Sequence, residues 1–135
     1  MCLEVLVQIP ENAPGRIGAK RLGEISGLVV KSSNLDGRPA LHLSVSGGCS
    51  CEFLARGTHH HGGTWELDPA QLPKLAAALR ALSTEARKYR FIVHWIGGDT
   101  ERTEQRVSGR ELLRAVEENR VRDNVMYRTW SDSTE

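Results

Sequence analysis

Two of the three cysteines and three of the five histidines in this chain fall between Gly47 and Gly63, with paired glycines at each end of the stretch. Thiolates and neutral imidazoles are the ligands zinc prefers, and a tetrahedral set of them makes a closed structural site. Cys49, Cys51, His59 and His61 would supply that set, with His60 as an alternative imidazole and Cys2 as a further thiol. The glycines would let the backbone fold tightly around an ion. Spacing counts against this reading. Cys-x-Cys is tighter than the spacing in most zinc knuckles, and ligand atoms on one zinc lie under ~4 Å apart. An extended strand would set the two cysteine Cα atoms ~6.6 Å apart and would carry His59 roughly 25 Å from Cys51.

Parity supplies a plainer account. Cys49, Cys51 and Phe53 share odd numbering with Leu41, Leu43 and Val45, so a strand running straight through would point both thiols into the core. Buried cysteine behaves there as a small hydrophobe. The histidines would then form a solvated loop tip. A thiol redox pair is the third reading, and its chemistry needs exposure and a positive or dipolar neighbour. Arg56 is the nearest basic residue, and no helix begins at these cysteines. His94, within the most apolar stretch of the chain, reads as a hydrogen-bonded core histidine ahead of a catalytic base. No paired-carboxylate or Ser–His–Asp spacing stands out, so the chain leans away from enzyme.

The elements that must position these residues alternate between two periods. Leu3, Val5, Val7 and Ile9 share one side of a strand ended by Pro10. Residues 11–21 read as a loop and 25–31 as a second strand, with Gly23 and Gly27 counting against a helix. Asp36-Gly37 marks a hairpin turn into a third strand carrying Leu41, Leu43 and Val45 inward. Short extended pieces over 53–56 and 64–67 flank the histidine loop. Asp68-Pro69 opens a helix whose first turn is disturbed by Pro73, so its regular part begins near that proline. Residues 89–96 form a strand apolar on both sides. Gly97-Gly98 turns it into a polar edge strand over 101–107. Ser108 and Glu111 make a capping box for a second helix, and a last strand spans 125–130.

The pattern is an α+β fold over 1–135 as one domain. Its sheet is mainly antiparallel, with two helices (about 69–87 and 109–120) on one face, in the order βββ(ββ)αββαβ. Eighteen basic and seventeen acidic residues leave a formal charge of +1. A near-neutral chain needs a segregated basic face to hold nucleic acid, and no half of the sequence is basic enough to argue for one. Arg87, Lys88, Arg90, Arg114, Arg120, Arg122 and Arg128 could gather near the helix ends, but interleaved carboxylates favour a solvated face. No run approaches the ~18 apolar residues of a membrane helix. Without a basic leader, and with an odd cysteine count, the expectation is a reducing, cytoplasmic setting. The function expected is a non-catalytic module that binds another protein or itself, without cofactor, nucleic acid or membrane. A zinc site on the cysteines and histidines is the alternative.

Overall fold

The computed structural model describes residues 3–55, 66–95 and 102–130. It is an α+β fold built on one six-stranded sheet. The strands are β1 (Leu3–Gln8), β2 (Val29–Leu35), β3 (Arg38–Ser44), β4 (Lys88–Trp95), β5 (Thr103–Ser108) and β6 (Val125–Trp130). Their order across the sheet is β2-β3-β1-β4-β6-β5. Every pairing is antiparallel except β5 with β6. Among the described residues no helix is long and apolar enough to cross a membrane.

All three helices cover the same face. Leu22 of α1 (Ala19–Ser26), Leu75 and Leu79 of α2 (Leu72–Ala81), and Leu112 and Val116 of α3 (Gly109–Glu117) pack against Leu3, Val5, Val7, Leu43, Phe91 and Val93. The inward row expected of the first strand is in place. So are the Asp36-Gly37 hairpin, whose two residues both have positive φ, and the capping box, in which the Ser108 side chain accepts from the Glu111 N–H. The regular part of α2 begins at Leu72, as the Pro73 irregularity requires.

Two elements differ from the sequence reading. Residues 19–26 are helical where a loop and a strand were expected, and β2 runs from 29 to 35 instead of 25 to 31. Gly23 and Gly27 serve this helix. A Cβ on Gly23 would stand 3.1 Å from the Leu28 carbonyl oxygen, so glycine allows the helix to lie close to the chain that follows. Gly27 adopts the left-handed conformation and its N–H donates to the Gly23 carbonyl, the ordinary way a helix ends. The second difference is that β4 and β5 do not form a hairpin, because β6 lies between them. Met126 and Tyr127 are buried on opposite faces of β6 and need an interior position, whereas residues 103–106 are exposed and suit the edge.

The helix-free face carries its own small apolar cluster of Leu6, Leu35, Ala40, Ile92 and Met126. An ion pair joins Asp36, in the β2–β3 turn, to Arg102, just before β5. These residues belong to opposite edges of the sheet, so the sheet curls around that cluster. The mouth of the curl, beside Pro10, is where the next features lie.

Candidate binding cleft

Alternate residues of β4, β6 and β5 point to the helix-free face, and their register is the key observation. Arg90 of β4 lies opposite Arg128 of β6, and Arg128 lies beside Arg106 of β5. One step along, Lys88 lies opposite Trp130. Neighbouring strands are ~4.8 Å apart, so three guanidinium stems rise side by side. They line a cleft of about 480 Å³ together with Lys88, Trp130, Pro10, Asn12 and a single carboxylate, Glu104. Among the described residues four cations therefore face one anion. Like charges in direct cross-strand register destabilise a sheet by roughly 0.2–1 kcal/mol a pair.

The three arginines are held. Gln8, the last residue of β1, is buried; its amide nitrogen donates to the Leu35 and Pro39 carbonyls at 3.1 and 3.3 Å. Its oxygen accepts from Arg90 Nη1 at 3.0 Å, which ties the β2–β3 hairpin to the cleft floor. Arg128 Nη1 reaches Glu104 Oε2 at 3.3 Å, and Arg106 lies over the Trp130 ring with its guanidinium carbon 5.0 Å from the centroid. Both contacts are at exposed positions and contribute about 0.5 kcal/mol each at most. On the other side of β5 a second cleft of about 310 Å³ is lined by Arg114, Arg120 and Arg122 with Glu111 and Tyr127. Gln105 lines both clefts. Of the seven basic residues considered from the sequence, all but Arg87 line one or other of these two clefts.

The cysteine-bearing stretch has a different form. β3 ends at Ser44, and Ser50–Phe53 is a 3-10 turn, so the thiols do not continue the inward row of the third strand. The reason lies at the end of the ladder. Ser50 is fully buried, and its hydroxyl accepts from the Val5 N–H at 3.0 Å while donating to the Leu43 carbonyl. Cys51 Sγ accepts from the Leu3 N–H at 3.2 Å. The turn takes over from β3 in satisfying β1. Phe53 inserts into the core, and Cys49 and Cys51 are half-buried. The short extended pieces survive as a bridge between Leu54 and Leu67. His59, His60, His61 and Cys2 lie outside the described residues. Among the described residues no group of three or more His, Cys, Asp or Glu side chains is placed to hold a metal ion.

Three titratable residues lie near this turn on the helix-free face. His94 Nε2 is 2.9 Å from Glu4 Oε1, its cross-strand partner, and both side chains are about a quarter to a third exposed. His94 is therefore a partly exposed residue of the helix-free face set against Glu4, not a core histidine. His42 Nε2 is 3.4 Å from Ser50 Oγ. Burial, opposed in part by Glu4 and reinforced by Lys31, lowers its pKa below the ordinary histidine value. Ser50 cannot serve as a nucleophile next to it, because its hydroxyl is enclosed and both its hydrogen-bonding roles are taken by the backbone.

Sequence reasoning missed the cleft because Lys88, Arg90, Glu104, Arg106, Arg128 and Trp130 come from three separated segments. The available signal was a pair of basic residues two apart, at 88 and 90, where one expected strand begins, and a further one at 128 within the last. No known protein family, curated protein or solved structure matches the chain.

Proposed function

We propose that this chain is a non-catalytic, cytoplasmic protein-binding module, and that the β4–β6–β5 cleft is where it takes an acidic segment of a partner. The observation that supports this most is the row of Arg90, Arg128 and Arg106 in direct register with one carboxylate beside it. Such a row works against the folded sheet, and an anionic ligand turns that cost into affinity. A protein segment fits better than nucleic acid. Of the two aromatic residues lining the cleft, Tyr89 is buried and Trp130 has one ring face under Arg106, a poor platform for stacking successive bases. A formal charge of +1 also gives little long-range pull toward a polyphosphate. Self-association through the cleft would oppose like charges.

The test is a calorimetric titration with a glutamate-rich peptide, an oligonucleotide of equal charge and a basic peptide, each in low and moderate salt. The expected result is saturable, salt-sensitive binding of the acidic peptide alone. Tighter binding of the oligonucleotide, or no discrimination between acidic and basic peptides, would overturn the reading.

A zinc site on Cys49, Cys51, His59 and His61 is the second reading, and the 3-10 turn is what favours it. Cys49 precedes the turn that holds Cys51, so the pair is not separated by a straight strand, which lessens the spacing objection to it. On this reading untagged protein carries zinc that Cys49→Ser and Cys51→Ser lose. Protein that binds no zinc, with melting unchanged on zinc addition, would remove it.

A further inference from the structure

We infer that the outer edge of β5 accepts an extended segment of the partner as a seventh strand on the six-stranded sheet, with the partner's carboxylates at alternate positions entering the cleft. The inference rests on the cleft being a site for an acidic protein segment, and it adds how the backbone of that segment is held.

Three observations converge on this edge. The first is hydrogen-bond direction. In a parallel pair the N–H and C=O of one residue point to the same neighbour, and successive residues alternate. The Thr103 N–H donates to the Asn124 carbonyl on the β6 side at 3.1 Å, so Gln105 and Val107 also face β6. Glu104 and Arg106 therefore direct their N–H and C=O groups away from the sheet. Among the described residues no strand pairs with β5 on that side, and 103–106 are exposed. The outward row ends at Ser108, whose N–H is taken by the Glu111 carboxylate in the capping box.

Charge is the second observation. Arg106 and Arg128 flank this edge on the helix-free face, and Arg114, Arg120 and Arg122 line the cleft on the helix face. Edge strands are usually guarded by charge against unintended pairing. Cations outnumber carboxylates on both faces, with Glu104 and Glu111 the minority on each, and that excess favours a segment of the opposite sign.

The third is continuity. Gln105 lines both clefts, so they meet at β5 with no intervening element. A strand laid along β5 would send its successive side chains alternately into one cleft and the other, since side chains alternate across a strand. The helix-free cleft holds four cations against Glu104, the stronger imbalance, and it sets the preferred pattern: a carboxylate at every second position. Pairing of main-chain groups supplies affinity in this mode, and the alternate pockets supply specificity.

Amide hydrogen exchange of the wild-type protein tests this, with and without an eight-residue peptide of alternating glutamate and threonine. Two further peptides carry N-methyl groups on every other amide, one at the odd and one at the even positions. The expected result is that the first peptide binds and slows exchange at Glu104 and Arg106 at least tenfold, while methylation of the pairing edge weakens binding at least tenfold. Binding without slowed exchange at these two amides, or with no loss on methylation at either set of positions, would overturn strand addition and leave the cleft reading standing. Absence of binding by any acidic peptide would overturn the cleft reading and this inference with it.

Discussion

The turn around Ser50 and the cleft beside Arg128 are opposites in how they use polar residues. The turn concentrates cysteine, serine and histidine within a few positions of sequence, and its described polar groups are occupied by the chain itself. Ser50 bridges the Val5 N–H and the Leu43 carbonyl, and Cys51 accepts from Leu3. The cleft draws its residues from three strands, and among the described residues its cations outnumber its carboxylates four to one. A buried polar group that is fully paired stabilises a fold, whereas a row of like charges does not. Local density of reactive residues is thus a poor guide to where this molecule meets others. Unmatched charge in register is a better one.

If the comparison holds, damage to the two regions separates stability from binding. The largest effect on stability is expected from Ser50→Ala, which strands a buried donor and a buried acceptor. At 1–3 kcal/mol for each unsatisfied group, a loss of about 3 kcal/mol follows, read as the shift in urea midpoint at constant m. A loss below about 1 kcal/mol would show that the turn does not serve the ladder as described. Gln8→Leu comes next, at about 2 kcal/mol, because it strands the Leu35 and Pro39 carbonyls and releases Arg90. This substitution alone should weaken both stability and peptide binding, since Gln8 supports the cleft from beneath.

The sequence made the turn conspicuous and the cleft nearly invisible, for a physical reason in each case. Periodicity and caps are local, so the first strand's inward row, the Asp36-Gly37 hairpin and the Ser108 capping box could be read directly. Gly27 was equally local but ambiguous, since glycine disfavours a helix interior and favours a helix end. The strand order is not local. Residues 101–107 follow 88–96 across a glycine turn, and nothing between them announces that 125–130 will be inserted. Once β6 is placed there, Arg128 lies between Arg90 and Arg106. The same non-local geometry governs Ser50, whose partners lie 45 residues back in the chain and seven residues back on the preceding strand.

A smaller effect sharpens the comparison through pH. Burial lowers the pKa of His42, so the folded state favours the neutral ring. The sign follows from linkage: this contribution is fully present above the unfolded histidine value of about 6.5 and is lost as pH falls through the lower folded value. His42→Asn is expected to flatten part of the loss of stability on acidification below about pH 6.5, measured as urea midpoints at stepped pH. Peptide binding at neutral pH should be unaffected, since His42 belongs to the region of the turn. An unchanged acid limb would mean the ring is solvated in the folded protein.

The most direct test of the central claim is a paired measurement on the Arg106→Gln/Arg128→Gln variant: urea stability and acidic-peptide affinity on the same preparation. Removing two members of the row loses the Trp130 and Glu104 contacts and relieves repulsion of similar size, so stability should stay within about 0.5 kcal/mol of wild type. Affinity should fall at least a hundredfold. A variant that unfolds more easily by about 2 kcal/mol or more, yet binds the peptide as wild type does, would show that these arginines serve the fold and that the cleft is no binding site.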